Sequence, residues 1–185
     1  IESLPANAKL GAASPQIAAI AYVESFFGGR QVVRLKENCA GIENCAGILG
    51  WGNKRSGLAA RTFGARTGHP FVVLEDGFLR SVGLGKAGAP SVSLVMDEEG
   101  MYYDARRSSR LERLLHAAAE GQDPPPPVVA EAMARWREAR LSKYNFGVDA
   151  PLPAARGRIV VIDQVAGDLS LAGAGATTDV AERIV

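Results

Sequence analysis

Phe71-Val-Val-Leu-Glu-Asp-Gly77 decides the fold class of this chain. Four apolar residues in a row, two of them valine, read as a buried strand. A carboxylate pair and a glycine follow, at the point where the chain must leave a sheet. Upstream, Lys54–Thr67 is helical by pattern and stopped by Gly68-His69-Pro70, while Gln31–Leu35 and Ile48–Trp51 are short strand candidates. Ser14-Pro15 opens an earlier helix with an N-cap and a first-turn proline. Ile17, Ile20, Tyr22, Phe26 and Phe27 give that helix its apolar positions, and Gly28-Gly29 ends it. Residues 1–13 are expected to form a loose lead-in before a domain over 14–185.

Downstream, Ser91–Met96 and Gly100–Tyr103 read as two further short strands around a turn. Ser109-Arg-Leu-Glu112 is a capping box that predicts a helix over 110–119. Four prolines at 124–127 break the chain, and a longer helix is expected over 128–142. Arg158–Ile162 reads as the last buried strand, leading into Asp163-Gln164, a Gly/Ala-rich loop and a helix capped by Thr177 or Thr178. Strands alternating with helices predict an α/β fold, a Rossmann-like and mostly parallel sheet with helices on both faces. Ligands of such sheets gather at the carboxyl ends of the strands. Those ends carry Trp51-Gly52, Glu75-Asp76-Gly77 and Asp163-Gln164.

Composition narrows the function classes. With 47% hydrophobic and 22% charged residues among 185, the chain is a globular domain of ordinary size. Lys+Arg of 21 against Asp+Glu of 20 gives no general attraction to nucleic acid. No apolar run nears the roughly 18–20 residues that span a bilayer, and no leader pattern opens the chain. Two cysteines cannot build a disulfide framework and suit a reducing cytoplasm.

Several motifs reduce to bland readings. Gly83-Leu-Gly85-Lys-Ala-Gly88 has the letters of a dinucleotide fingerprint, yet Ala89-Pro90 follows where a helix should open, so it reads as a glycine loop. Cys39, Cys45, His69 and His116 lack the spacing of a zinc site, and no cofactor or metal is expected. No GxSxG elbow is present. The carboxylates are more informative: Glu75, Asp76, Asp97, Asp104, Asp163 and Asp168 all fall at predicted strand ends or in loops. Carboxylates directly after apolar strands need partners, ligands or a chemical role. Lys54, Arg55 and Ser56 sit at a predicted helix N-terminus, where amides favour anions, and Arg80-Ser81 offers a second cationic corner. Structural ion pairs, turn caps and solvated charge are the plain alternatives.

Six motifs occur in order: Gly50-Trp-Gly-Asn-Lys-Arg-Ser56, Leu74-Glu-Asp-Gly-Phe-Leu-Arg-Ser-Val-Gly-Leu-Gly85, Ser93-Leu-Val-Met-Asp97, Gly100-Met-Tyr-Tyr-Asp104, Leu141-Ser-Lys-Tyr-Asn145 and Val161-Ile-Asp-Gln-Val-Ala-Gly-Asp168. Together they resemble the KpsC/LipA capsule polysaccharide family, from about residue 30 to the end. The resemblance implies a retaining β-Kdo transferase with CMP-Kdo as donor and a lipid-linked, phosphatidylglycerol-based Kdo acceptor. It also implies one half of a GT-B-like module, the second Rossmann half being missing, and a cytoplasmic site at the inner membrane beside capsule export machinery. Asp168 is the implied nucleophile, Asp163 an orienting group, and Glu75 and Asp76 acid/base or sugar-hydroxyl ligands. Trp51, Gly52, Lys54, Ser56, Gly77, Arg80, Ser81, Gln164 and Gly167 are the implied substrate-binding positions. Arg55, Val165 and the Ala/Gly-rich loop after Ser170 depart from the family pattern. A non-catalytic sugar- or nucleotide-binding module in capsule assembly or export is the rival from another class. Phosphoryl transfer on an Asp nucleophile lacks its Asp-x-Asp start.

Overall fold

The computed structural model describes residues 1, 3–36, 39–121, 126–147, 157, 164–165 and 167–176. Among these residues the centre is a five-stranded sheet in the order β2-β1-β3-β4-β5. The strands are β1 (Leu10–Ala12), β2 (Val32–Arg34), β3 (Gly47–Trp51), β4 (Phe71–Asp76) and β5 (Leu94–Asp97). The first four run parallel, and β5 closes the edge antiparallel to β4, pairing Glu75 with Val95 and Asp76 with Leu94. The helices are α1 (Pro15–Ala18), α2 (Arg55–Thr67), α3 (Arg110–Glu120), α4 (Pro127–Glu138) and α5 (Leu169–Gly173).

Strand alternation sends Ile48 and Leu49 to opposite faces, and each face finds its own cover. Leu10, Ala12, Leu49, Val72 and Leu74 pack with Ile17 of α1 and with Val23 and Phe27 of a short 3-10 turn. Ile48 packs on the other face with Ala60 of α2 and with Leu35, Cys39, Ile42 and Cys45. The expected α/β class, mostly parallel with helices on both faces, is the fold observed.

Four local expectations need correction. The stretch read as a loose lead-in holds β1, which lies fully buried between β2 and β3. Three small or apolar residues carry no alternation, and a parallel strand covered on both faces needs none. The helix expected from Ser14 to Phe27 is interrupted, because Tyr22 takes a left-handed φ of 57° between α1 and the 3-10 turn. Gly100–Tyr103 is not a strand. The buried Asp97 carboxylate accepts from the amides of Glu99 and Gly100 (2.8 and 2.9 Å) and from Arg110 N (2.8 Å), which folds the chain off the sheet and into α3. Finally, α4 ends at Glu138, where Arg140 turns left-handed and the Trp136 Nε1–H donates to the Leu141 carbonyl (2.7 Å). Ser109 caps α3 as its motif requires, accepting from Glu112 N at 3.1 Å. The expected strand over 158–162 and the terminal helix lie outside the described residues.

Candidate active site

The parallel strands β3 and β4 end side by side at Trp51 and Asp76. At the end of β3 the Trp51 amide donates to Ser56 Oγ (3.2 Å), which swings the chain directly into α2. Gly52 makes this turn at φ +45°, and a Cβ there would lie 2.5 Å from the Tyr103 hydroxyl and 2.8 Å from Glu75 Oε2. Only glycine leaves room for that approach. Lys54, exposed at the head of α2, forms no side-chain capping bond.

At the end of β4, Glu75 is gripped at both oxygens. Oε1 accepts from the Asp76 amide (3.1 Å), and Oε2 accepts from the Tyr103 hydroxyl across a long 3.4 Å. The Tyr103 oxygen in turn accepts from Asn53 N (3.0 Å). Burial pushes the Glu75 carboxyl above its ordinary range; the Asp76 amide opposes this, the Asp76 charge adds to it, and Lys54 and Lys143 pull it back down. Burial, with the nearby Glu75, also raises the Tyr103 hydroxyl to about 12.

Asp168 arrives from the far end of the chain. It caps α5, its Oδ1 accepting from Ser170 N (2.8 Å), and these bonds to Ser170 hold its carboxyl below the usual range, helped by Lys143 and Lys54. Gly173 lays α5 against the Tyr103–Asp104 backbone, where the Ala105 amide donates to the Gly173 carbonyl (3.1 Å). The Tyr102 hydroxyl registers the assembly: burial raises it first, then the charges of Glu75, Asp76 and Asp168. The buried Asp104 accepts three times from Arg106, twice from the guanidinium (2.7 and 2.9 Å) and once from the amide (3.2 Å), and once from Asn53 Nδ2 (2.8 Å), which lowers its carboxyl to about 2.

The structure therefore gathers Glu75, Asp76, Gly52 and Lys54 at the carboxyl ends of β3 and β4, and Asp168 acts on the same Tyr102 hydroxyl and feels the same two lysines. Other expected positions hold the scaffold. Arg80 pairs with Asp76 (3.1 Å) and donates to Ser81 Oγ (3.2 Å) and the Ala89 carbonyl (2.5 Å), while the buried Ser81 hydroxyl donates to the Gly83 carbonyl (2.5 Å). Both fasten the glycine loop at 83–89. Trp51 packs against the core, Ser56 holds the β3 turn, and the Gly77 amide donates to the Ser93 carbonyl (3.2 Å). Gly167, at φ +82°, precedes Asp168, and Gln164 Nε2 reaches Ser170 Oγ (3.3 Å). Asp163 lies outside the described residues. Tyr102, Tyr103, Asn53 and Lys143 were not among the expected site positions. Their signal was present in the paired tyrosines of 100–104 and the Ser-Lys-Tyr-Asn run, whose turn docks on the 80–82 segment through Arg80 N to Lys143 O (2.9 Å).

The family model for capsule polysaccharide biosynthesis proteins matches residues 46–145, which span β3, β4, β5 and both carboxylates at the end of β4. The chain belongs to this capsule polysaccharide biosynthesis family. Within it, the chain is 40% identical over 144 residues to the capsule polysaccharide modification protein LipA of Neisseria meningitidis serogroup B, covering 75% of this chain and 20% of that protein. It is 38% identical over 120 residues to the lipopolysaccharide-processing protein LpsZ of Rhizobium meliloti, covering 61% of this chain and 27% of that one. Among solved structures it resembles the Thermosulfurimonas dismutans KpsC beta Kdo 2,4 transferase, at 32% identity and a TM-score of 0.74 over 96% of this chain and 55% of that one. The beta Kdo 2,7 transferase of the same KpsC shares the fold at 24% identity, with a TM-score of 0.55 over 90% of this chain and 51% of that one. This chain of the capsule family thus spans about half of the solved chains and about a fifth to a quarter of the curated relatives.

Proposed function

We propose that the chain supplies the acceptor-side half and the nucleophile loop of a retaining β-Kdo transferase in capsule linker synthesis. The observation that carries this reading is that Asp168 and Glu75, the one held low and the other raised, both act on the Tyr102 hydroxyl and are both acted on by Lys54 and Lys143 beyond the carboxyl end of β4. The KpsC likeness over nearly the whole chain supports it. In the proposed reaction the Asp168 carboxylate attacks the anomeric carbon of Kdo, forming a C–O bond as the bond to the CMP phosphate breaks and CMP leaves with the electron pair. An acceptor hydroxyl on the lipid-linked Kdo then attacks the same carbon, its proton passing to Glu75 as the bond to Asp168 breaks. Two inversions retain the configuration.

An ionised nucleophile and a carboxylate poised to take a proton are the pair such a double displacement needs. Lys54 and Lys143, which act on both carboxylates, suit an anionic sugar. The donor is held between this half and a second Rossmann half, working at the cytoplasmic face of the inner membrane. No helix among the described residues is long and apolar enough to cross a membrane, and contact there is peripheral on this reading.

The test is Asp168→Asn in the complete transferase, with CMP-Kdo and a lipid-linked acceptor. Transfer is lost while donor binding stays. A variant that transfers at the wild-type rate overturns the nucleophile assignment, and a wild type that binds without transferring supports the binding module instead.

A further inference from the structure

Tyr103 stands where three segments of the site meet. Its hydroxyl oxygen accepts from the Asn53 amide in the β3–α2 turn, and the same hydroxyl lies 3.4 Å from Glu75 Oε2 at the end of β4. Its own backbone, with that of Asp104, is the surface on which Gly173 of α5 rests, one short helix away from Asp168. Proton bookkeeping fixes the direction of the bonds. An amide N–H can only donate, so Asn53 takes up an oxygen lone pair and the phenolic proton is left to point at Glu75. With the Asp76 amide on Oε1, each oxygen of Glu75 then has one donor.

We propose that Tyr103 is a positioning residue that fixes the orientation and the proton affinity of Glu75 and joins it to the support of the Asp168 helix. The proposal rests on the reading of Glu75 as the proton acceptor. Among the described residues, the other groups acting on or facing Glu75 are Asp76 on its own strand, Lys54 ahead of α2, Lys143 after α4, and the Tyr102 hydroxyl, which also feels Asp168 at the head of α5. None of these is changed by deleting one phenolic oxygen. Without it, Oε2 loses its donor, and burial together with the Asp76 charge dominates. A hydrogen bond to the charged form lowers a carboxyl pKa, so its loss raises that of Glu75.

The experiment is a carboxyl-carbon NMR titration of the 185-residue chain, as wild type, Tyr103→Phe and Glu75→Gln. In Tyr103→Phe the Glu75 midpoint rises by roughly half to one unit. In Glu75→Gln the Tyr103 hydroxyl, followed by its ring carbon, falls from about 12 toward the ordinary tyrosine value. A Glu75 midpoint that stays or falls, or a Tyr103 hydroxyl that does not move, overturns the proposal. If Tyr103→Phe does not fold, the Glu75→Gln arm decides alone. In the complete transferase, Tyr103→Phe lowers kcat by about tenfold with KM unchanged and moves the acid limb of the pH profile upward with Glu75. Full transfer by Glu75→Gln would sink the proton-acceptor reading and leave the titration result standing. Loss of transfer in Glu75→Gln with no coupling in the titrations would do the reverse.

Discussion

At the scale of the residue, Asp104 shows how a buried charge is made tolerable. Arg106 contributes three bonds, two from its guanidinium and one from its amide, and Asn53 a fourth, which together lower the carboxyl to about 2. A depressed folded pKa adds stability above the unfolded value and loses it as pH falls through the folded one. The fold should therefore weaken from about pH 4 toward pH 2 by this group's contribution. Asp104→Asn should cost about 2 kcal/mol at neutral pH and flatten that acid slope, read by urea denaturation at several pH values. An unchanged slope would show that Asp104 carries no such linkage. Glu75 and Asp76 were legible in the sequence because carboxylates at the end of an apolar strand demand an explanation. Tyr103 was not, since the run Met-Tyr-Tyr has the letters of a strand and only Asp97, accepting three amides, turns it aside. Arg80 was legible as a cation able to pair with one of the two carboxylates, and it pairs with Asp76, but its bond to the Ala89 carbonyl depends on how the glycine loop closes.

At the scale of the element, β1 carries the clearest consequence. Its three residues are bonded on both sides, to β2 and to β3, and Leu10 is fully buried. Leu10→Ala should destabilise the chain by about 2–5 kcal/mol, the range for large-to-small changes in a core. The amides of Leu10–Ala12 should be among the slowest to exchange with deuterium. Fast exchange there would mean that the sheet is complete without β1. β4 and α2 were readable because four apolar residues and a glycine stop are strong local signals. β1 was not, because its strand character comes from two neighbours rather than from its own letters. The antiparallel direction of β5 is likewise set by the excursion over 77–93, which no local pattern fixes.

At the scale of the whole molecule, α3 and α4 bury none of their side chains. Val129, Met133 and Trp136 line one stripe of α4 and are 41%, 44% and 39% exposed. Contiguous apolar surface of this kind drives association. Met133→Lys should leave stability within about 0.5 kcal/mol and lower the apparent mass of concentrated samples in light scattering. A variant that associates as strongly as the wild type would place the sticky surface elsewhere. The sequence motifs pointed to one half of a two-part module, and the chain spans 55% of the solved KpsC transferase it resembles. Where α5 comes to rest was beyond the motifs, because among the described residues it depends on the packing of Gly173 on the Tyr103–Asp104 turn.

On the proposed mechanism, Asp168 forms a covalent bond to the sugar. Intact-mass spectrometry of the complete transferase with CMP-Kdo and no acceptor tests it most directly. The expected result is a mass gain of one Kdo, located by digestion on the peptide bearing Asp168 and absent in Asp168→Asn. An adduct that persists in Asp168→Asn, or that maps to another residue, would contradict it.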